Sequence, residues 1–496
     1  MKKHLLILFT ALSAVLTSAQ TPDEGYLSST SASYDGSALL LTGHVVLDHG
    51  LGKMTAEEAS LERQETGRDF PFSLIHLRKE VLLSLKNSAK LGCDVAELDF
   101  NSLKGHLSSP TSGLVSYTDV LQKKGSPDAA LILKSPKIEL SLIKSDLAEK
   151  KAEYDVDTIL AKDSVTIDYN KEFFLQADHA LYRRANIGST SPTKEFQGVI
   201  SAYPKDAASF CLLTHGADVI EASSIDLDLV HSQLLMHKPR GTLASSLLPQ
   251  LQKGEMQFVS DYLIWDNLRQ MLTFKGKSEV IESVLGTVYT EEELSIQQGI
   301  SKGKRVVTKI ETKGPTELMY QDPSSASYHK LTCQGTMKID RDHLNAVLTS
   351  PHKEGKKTPL AEQIYYEETG FGAYADSAEV EYSIEGEFLR PVSLSLKGGV
   401  TLFSRNKAEP FRCSIADRMT YSPTTKTLIL SANPGGKVLF WDEQQCIRMS
   451  AQEVHLTQNP ATEQTVIQGV GSVKFSLSTE ENETLKKFFP QYKPLP

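Results

Sequence analysis

The chain has 496 residues, a formal net charge of −9, 23% charged residues and 40% hydrophobic residues. That is a globular composition, long enough for two or more modules, and it excludes wholesale disorder. The acidic balance disfavours nucleic acid as a partner.

The first expected element is a signal peptide over residues 1–19. Lys2 and Lys3 form a basic start, Leu5 to Leu16 a short apolar run, and Thr17-Ser18-Ala19 a cleavage site before Gln20. The run is shorter than the about 20 residues of a spanning helix. No cysteine follows the cleavage position, so no lipoprotein anchor is expected; the alternative is an uncleaved N-terminal anchor. No later stretch is long and apolar enough to span a bilayer, so the mature chain is expected to be soluble and exported.

Downstream, one short unit returns: a small residue, an acidic or amide residue, a variable position, then an apolar-x-apolar pair. Clear copies are AEEASLERQ (56–64), VAELDFNS (95–102), ADHALYRRAN (177–186), SDYLIWDN (260–267), ADSAEVEY (375–382), ADRMTYSP (416–423) and AQEVHLTQ (451–458). Looser copies start at Ser135, Ala222, Glu291 and Gln334, which gives a period of about 40 residues. Alternation such as Leu98-x-Phe100 and Met419-x-Tyr421 is that of a strand with one buried face. Polar turns follow, then a second alternating strand such as Met271–Gly276. Gly43, Gly276, Gly398 and Gly399 stand at one recurrent kink, where glycine lets a strand bend or bulge.

The predicted fold is therefore all-β: an elongated, twisted β-jellyroll or rolled antiparallel sheet, built from about four short strands per 40-residue repeat. The expected organisation is a signal peptide (1–19), an N-terminal β module (20–240), a C-terminal β module (255–477), and a short helix with a Pro-rich tail (478–496). Ser478 and Glu481 form a capping box for that helix. A second helical signal lies near 242–253. Polar breaks are expected at 186–195, 241–254 and 352–359. Cys93, Cys211, Cys333, Cys413 and Cys446 include no CxxC pair and read mostly as buried small residues, with disulfide pairing as the alternative.

The pattern Ala416-Asp417-x-Met419-x-Tyr421, then Leu428 to Leu430, Gly436 and Val438, resembles the repeat of the LptA/OstA lipopolysaccharide-transport family. The stretch 31–64 is similar, with SYDGSALLLTGHVVLDHG before Ala56-Glu57. The resemblance covers about a fifth of the chain well. It implies a β-jellyroll whose groove shields lipid A acyl chains in the periplasm, between inner and outer membrane. It also implies lipopolysaccharide or lipooligosaccharide as ligand, and other Lpt-type envelope proteins as partners through β-strand edge pairing. The chain is much longer than a single-module member and shows no outer-membrane barrel segment.

The apolar-x-apolar pairs supply the lipid-groove candidates: Leu98, Phe100, Ala180, Tyr182, Leu263, Trp265, Val380, Tyr382, Met419, Tyr421, Val454 and Leu456. Alternation alone leaves open whether they fill a core or line a groove. No catalytic residue, metal site or cofactor is expected, and the chain does not read as an enzyme. Lys275-Gly276-Lys277-Ser278 lacks the first glycine of a P-loop, because Met271 stands there. His44 and His49 form no ligand pair, and Asp226-x-Asp228 reads as a solvated strand face. Two alternatives to lipid transport are a structural or adhesive β-protein at the outer membrane or cell surface, and an exported β-helical enzyme acting on polysaccharide.

Overall fold

A computed structural model describes residues 26–63, 72–86, 88–111, 113–121, 129–145, 153–184, 198–245, 255–282, 286–301, 303–321, 328–351, 358–368, 370–385, 388–404, 412–443, 447–458 and 465–477. The expected signal peptide, the C-terminal helix and tail, Cys446 and the break at 186–195 lie outside these residues. So do most of 241–254 and 352–359. Among the described residues the regular elements are antiparallel strands, apart from one three-residue 3-10 turn at Leu360–Glu362. The helical signal near 242–253 is corrected in its described part: Arg240–Leu243 is a strand, held on both sides by ladder hydrogen bonds. Tertiary pairing overrides a weak local helix propensity there. The chain divides into two compact units, 1–200 and 201–496.

In the first unit, Ala38–His49, Gly52–Glu62, Leu74–Leu85 and Lys90–Asp99 pair in sequence order. Their register slips at matching places, between Thr42 and Val45, Thr55 and Glu58, and Arg78 and Val81. Each strand bends there, so its two halves belong to two walls. After Lys90–Asp99 the walls separate. Lys90–Gly92 is opposite Ser116–Thr118, whereas Val95–Asp99 is opposite Lys104–Ser108. Both walls rejoin on Glu153–Tyr169, which pairs with Lys137–Ser145 through one half and with Ala129–Ser135 through the other.

The second unit repeats the device. Met256–Asp266 and Met271–Glu282 span both walls and slip between Ser260 and Tyr262. One wall then continues through Gly286–Thr290, Thr316–Gln321, Tyr328–Cys333, Ile364–Glu368 and Phe371–Ala375. The other runs through Glu293–Ser301, Lys304–Lys313, Thr336–Asp340, Asn345–Thr349 and Ser377–Glu385. They meet again on Phe388–Ser404. The 40-residue period is thus one hairpin in each wall.

The repeat marker is the corner between the walls. Ala56, Ser135, Ala222, Ser260, Ala375, Ala416 and Ala451 are all buried where the walls converge. At two of these corners the next residue is an aspartate that accepts a backbone N–H from the neighbouring chain segment. Asp261 Oδ2 accepts the Lys277 N–H at 2.9 Å and Asp417 Oδ2 accepts the Asn433 N–H at 2.6 Å. The copy set at Ala96 is corrected by three residues. Asp94, after buried Cys93, holds the corner and accepts the Thr111 N–H at 2.6 Å. At Gly276 the backbone has φ +79°, and an added Cβ would lie 2.5–3.1 Å from Asp261. Glycine is required there for conformation and for space.

Gly276→Ala should therefore destabilise the second unit by about 1–3 kcal/mol in urea denaturation. Gly216 has φ +60° but nothing within 4 Å of an added Cβ. Gly216→Ala should cost less, and equal costs would show that crowding by Asp261 is unimportant.

Candidate functional site

Between the walls the side chains alternate inward and outward, and the inward set is mostly apolar, with buried polar exceptions such as Asp119 and Arg184. Leu98, Phe100, Ala180 and Tyr182 are buried in the first unit; Leu263, Trp265, Met419 and Val454 are buried in the second. Val380, Tyr382, Tyr421 and Leu456 are half-buried. The structure brings Val380 and Tyr382 together on one apolar cavity of about 90 Å³ in the second unit. Both walls line it: Leu318, Tyr320 and Leu331 from one, Ile339, Ala346 and Val380 from the other. Tyr421 lies beside it, two residues before the lining Pro423.

The walls are joined at the corner and approach again at the opposite lip. There Tyr366, which lines the cavity, donates its hydroxyl to Glu368 Oε2 at 2.9 Å. His329 Nδ1 lies 3.0 Å from the same hydroxyl, which places its proton on Nδ1 as donor. From the facing wall, the Tyr421 hydroxyl reaches Glu368 Oε1 at 3.4 Å, and its ring meets Phe371 edge-on at 5.4 Å. Burial first, and the Glu368 charge second, push the Tyr366 and Tyr421 hydroxyls well above the usual tyrosine range, so both remain donors. Burial pushes Tyr382 up to about 12.

Two further contacts close the lip. In the second unit, Arg305 Nη2 is 2.5 Å from Asp218 Oδ2, His215 Nδ1 is 3.2 Å from it, and the Ala244 N–H donates to Oδ1 at 2.8 Å. Burial alone would raise the Asp218 pKa, but these hydrogen bonds and the Arg305 charge hold it below the ordinary carboxylate range. In the first unit, His49 packs against Phe100 and Tyr154 with ring centroids 4.2 and 5.3 Å away. Its Nδ1 accepts the Leu51 N–H at 3.2 Å, and burial lowers its pKa to about 4.

Sequence reasoning missed Tyr320, His329, Tyr366 and Glu368. Each candidate it chose follows a corner marker and therefore lies on the wall entered after the corner. The facing wall carries its own alternation, as in Ile364-x-Tyr366-x-Glu368, but no marker introduces it. Cys93, Cys211, Cys333 and Cys413 are buried, as read for small core residues. Comparison with family models and with curated proteins finds no match to this chain.

Arg305→Met should destabilise the second unit by about 3–5 kcal/mol, because Asp218 would keep its charge without its main partner. Urea denaturation reads this directly. Between pH 6.5 and about 4 the unfolded chain protonates His49 while the folded chain does not. Stability from this residue is complete above pH 6.5 and falls by up to about 3 kcal/mol as the pH drops to 4. The His49→Gln variant should show a correspondingly shallower stability decline across that window.

Proposed function

We propose that this chain is an exported lipid carrier of the cell envelope that takes acyl chains into the seam between its two β walls, with lipopolysaccharide as its lipid class. The observation that carries the reading is the apolar cavity lined by both walls and flanked at the lip by tyrosines. Each methylene moved from water into such a seam contributes roughly 0.8 kcal/mol, so binding needs no catalytic chemistry. The corner markers at 31–64 and 412–477 supply the lipopolysaccharide part through their resemblance to the LptA/OstA repeat.

The last described strands support a docking role. Thr465–Val470 pairs only with Glu453–Gln458, and Lys474–Leu477 only with Ile447–Ala451, among the described residues. Val466 and Phe475 on these strands are 59% and 61% exposed. A half-paired strand with outward apolar side chains is a template for β-strand addition by another envelope protein. In this reading the carrier works in the periplasm and hands lipid onward through such an edge.

A photo-crosslinking residue at Tyr382 or Tyr421, in cells that make lipopolysaccharide, should capture that lipid. The exposed Lys426 position should not. Equal capture from Lys426, or none from any of the three, overturns the proposal and leaves a structural surface protein as the better account.

A further inference from the structure

The cavity of about 90 Å³ is smaller than the roughly 150 Å³ engineered cavity that stays dry and admits a single benzene ring. It has room for the end of one hydrocarbon chain and none for several chains side by side. Its rim is not neutral to the head group. Glu368 takes hydrogen bonds from Tyr366 and Tyr421, and among the described residues no lysine or arginine pairs with its carboxylate. Burial at the rim lowers the local dielectric and strengthens repulsion between that carboxylate and an anionic head. A hydroxyl group, by contrast, can donate to Glu368 and accept from the tyrosine hydroxyls. A chain end held among Tyr320, Leu331, Ala346 and Val380 would bring its head group to this rim.

We infer that the cavity is a binding site for the one short acyl chain of a single-chain amphiphile with an uncharged, hydroxyl-bearing head group, of the monoacylglycerol class, whose head is seated at Glu368, Tyr366 and Tyr421. This rests on the lipid-carrying reading and names a ligand class for the site different from the anionic lipopolysaccharide. The selectivity comes from charge at the rim, and the affinity from the chain.

The test is calorimetric titration of the full chain at pH 8 with 1-monobutyroylglycerol and with butyrate, both below their aggregation concentrations. The two probes share one chain and differ in head group. The glycerol ester should bind at least tenfold more tightly than butyrate, and Glu368→Gln should narrow the ratio to less than threefold. Val380→Trp should weaken both ligands more than tenfold, and Ala346→Leu, a milder filling of the same space, should act in the same direction. Equal affinities in the unaltered chain, an unchanged ratio in Glu368→Gln, or unaffected binding in both filled variants would overturn the inference. If neither probe binds while Tyr382 still crosslinks lipopolysaccharide, this ligand class alone is wrong. Loss of that crosslink as well would remove the lipid-carrying reading itself.

Discussion

The structure depends on one backbone problem solved repeatedly: turning a hydrogen-bonded strand from one wall into another without abandoning its ladder. Four of the strands that span both walls meet it with consecutive residues at positive φ, Gly43-His44, Lys79-Glu80, Asp163-Ser164 and Gly398-Gly399, and Met271–Glu282 meets it with Gly276 alone. Such a bend leaves backbone N–H groups pointing away from any strand partner, and a buried donor left unpaired is costly. The acidic residue on the adjacent strand supplies the acceptor, as Asp261 does for Lys277 and Asp417 for Asn433. The position before it is small and buried.

Once the corner is fixed, the interior follows. Within each unit, period-two alternation turns every second side chain of both walls toward the same narrow space, and most of those side chains are apolar. Most of that space is filled, Tyr182 being among the largest occupants in the first unit and Trp265 and Phe274 in the second. The lip is less uniform. An ion pair at Arg305 and Asp218, and the Tyr421–Glu368 contact, tie the walls together there. The cavity lined by Tyr320 and Tyr382 is where packing gives way.

The corner was legible because its requirements are local. A small residue stands at most places where the chain changes wall, followed at Ala56, Ala177, Ser260, Ala375 and Ala416 by a carboxylate, so the marker recurs in sequence. The starts at Ala56, Ser135, Ala177, Ala222, Ser260, Glu291, Gln334, Ala375, Ala416 and Ala451 all fall at such crossings, and the Ala96 copy missed by three residues because Cys93-Asp94 lacks the alanine. Half of the candidate site was not legible. Val380 and Tyr382 follow a marker, but Tyr320, His329 and Tyr366 face them from hairpins with no marker of their own. The Tyr421–Glu368 contact joins residues 53 apart in sequence, a distance set by wall-to-wall packing and not by any local preference.

The one-hairpin-per-wall repeat also bears on how such a chain can change over generations. Among the described residues of the second unit each hairpin forms its ladder only with the hairpins beside it, as in a solenoid. A duplication or deletion of about 40 residues between two corners would therefore rejoin equivalent ends and leave the cross-section intact. Length becomes a quantity that recombination can adjust in whole steps, while the chemistry of each cross-section evolves separately by point substitution.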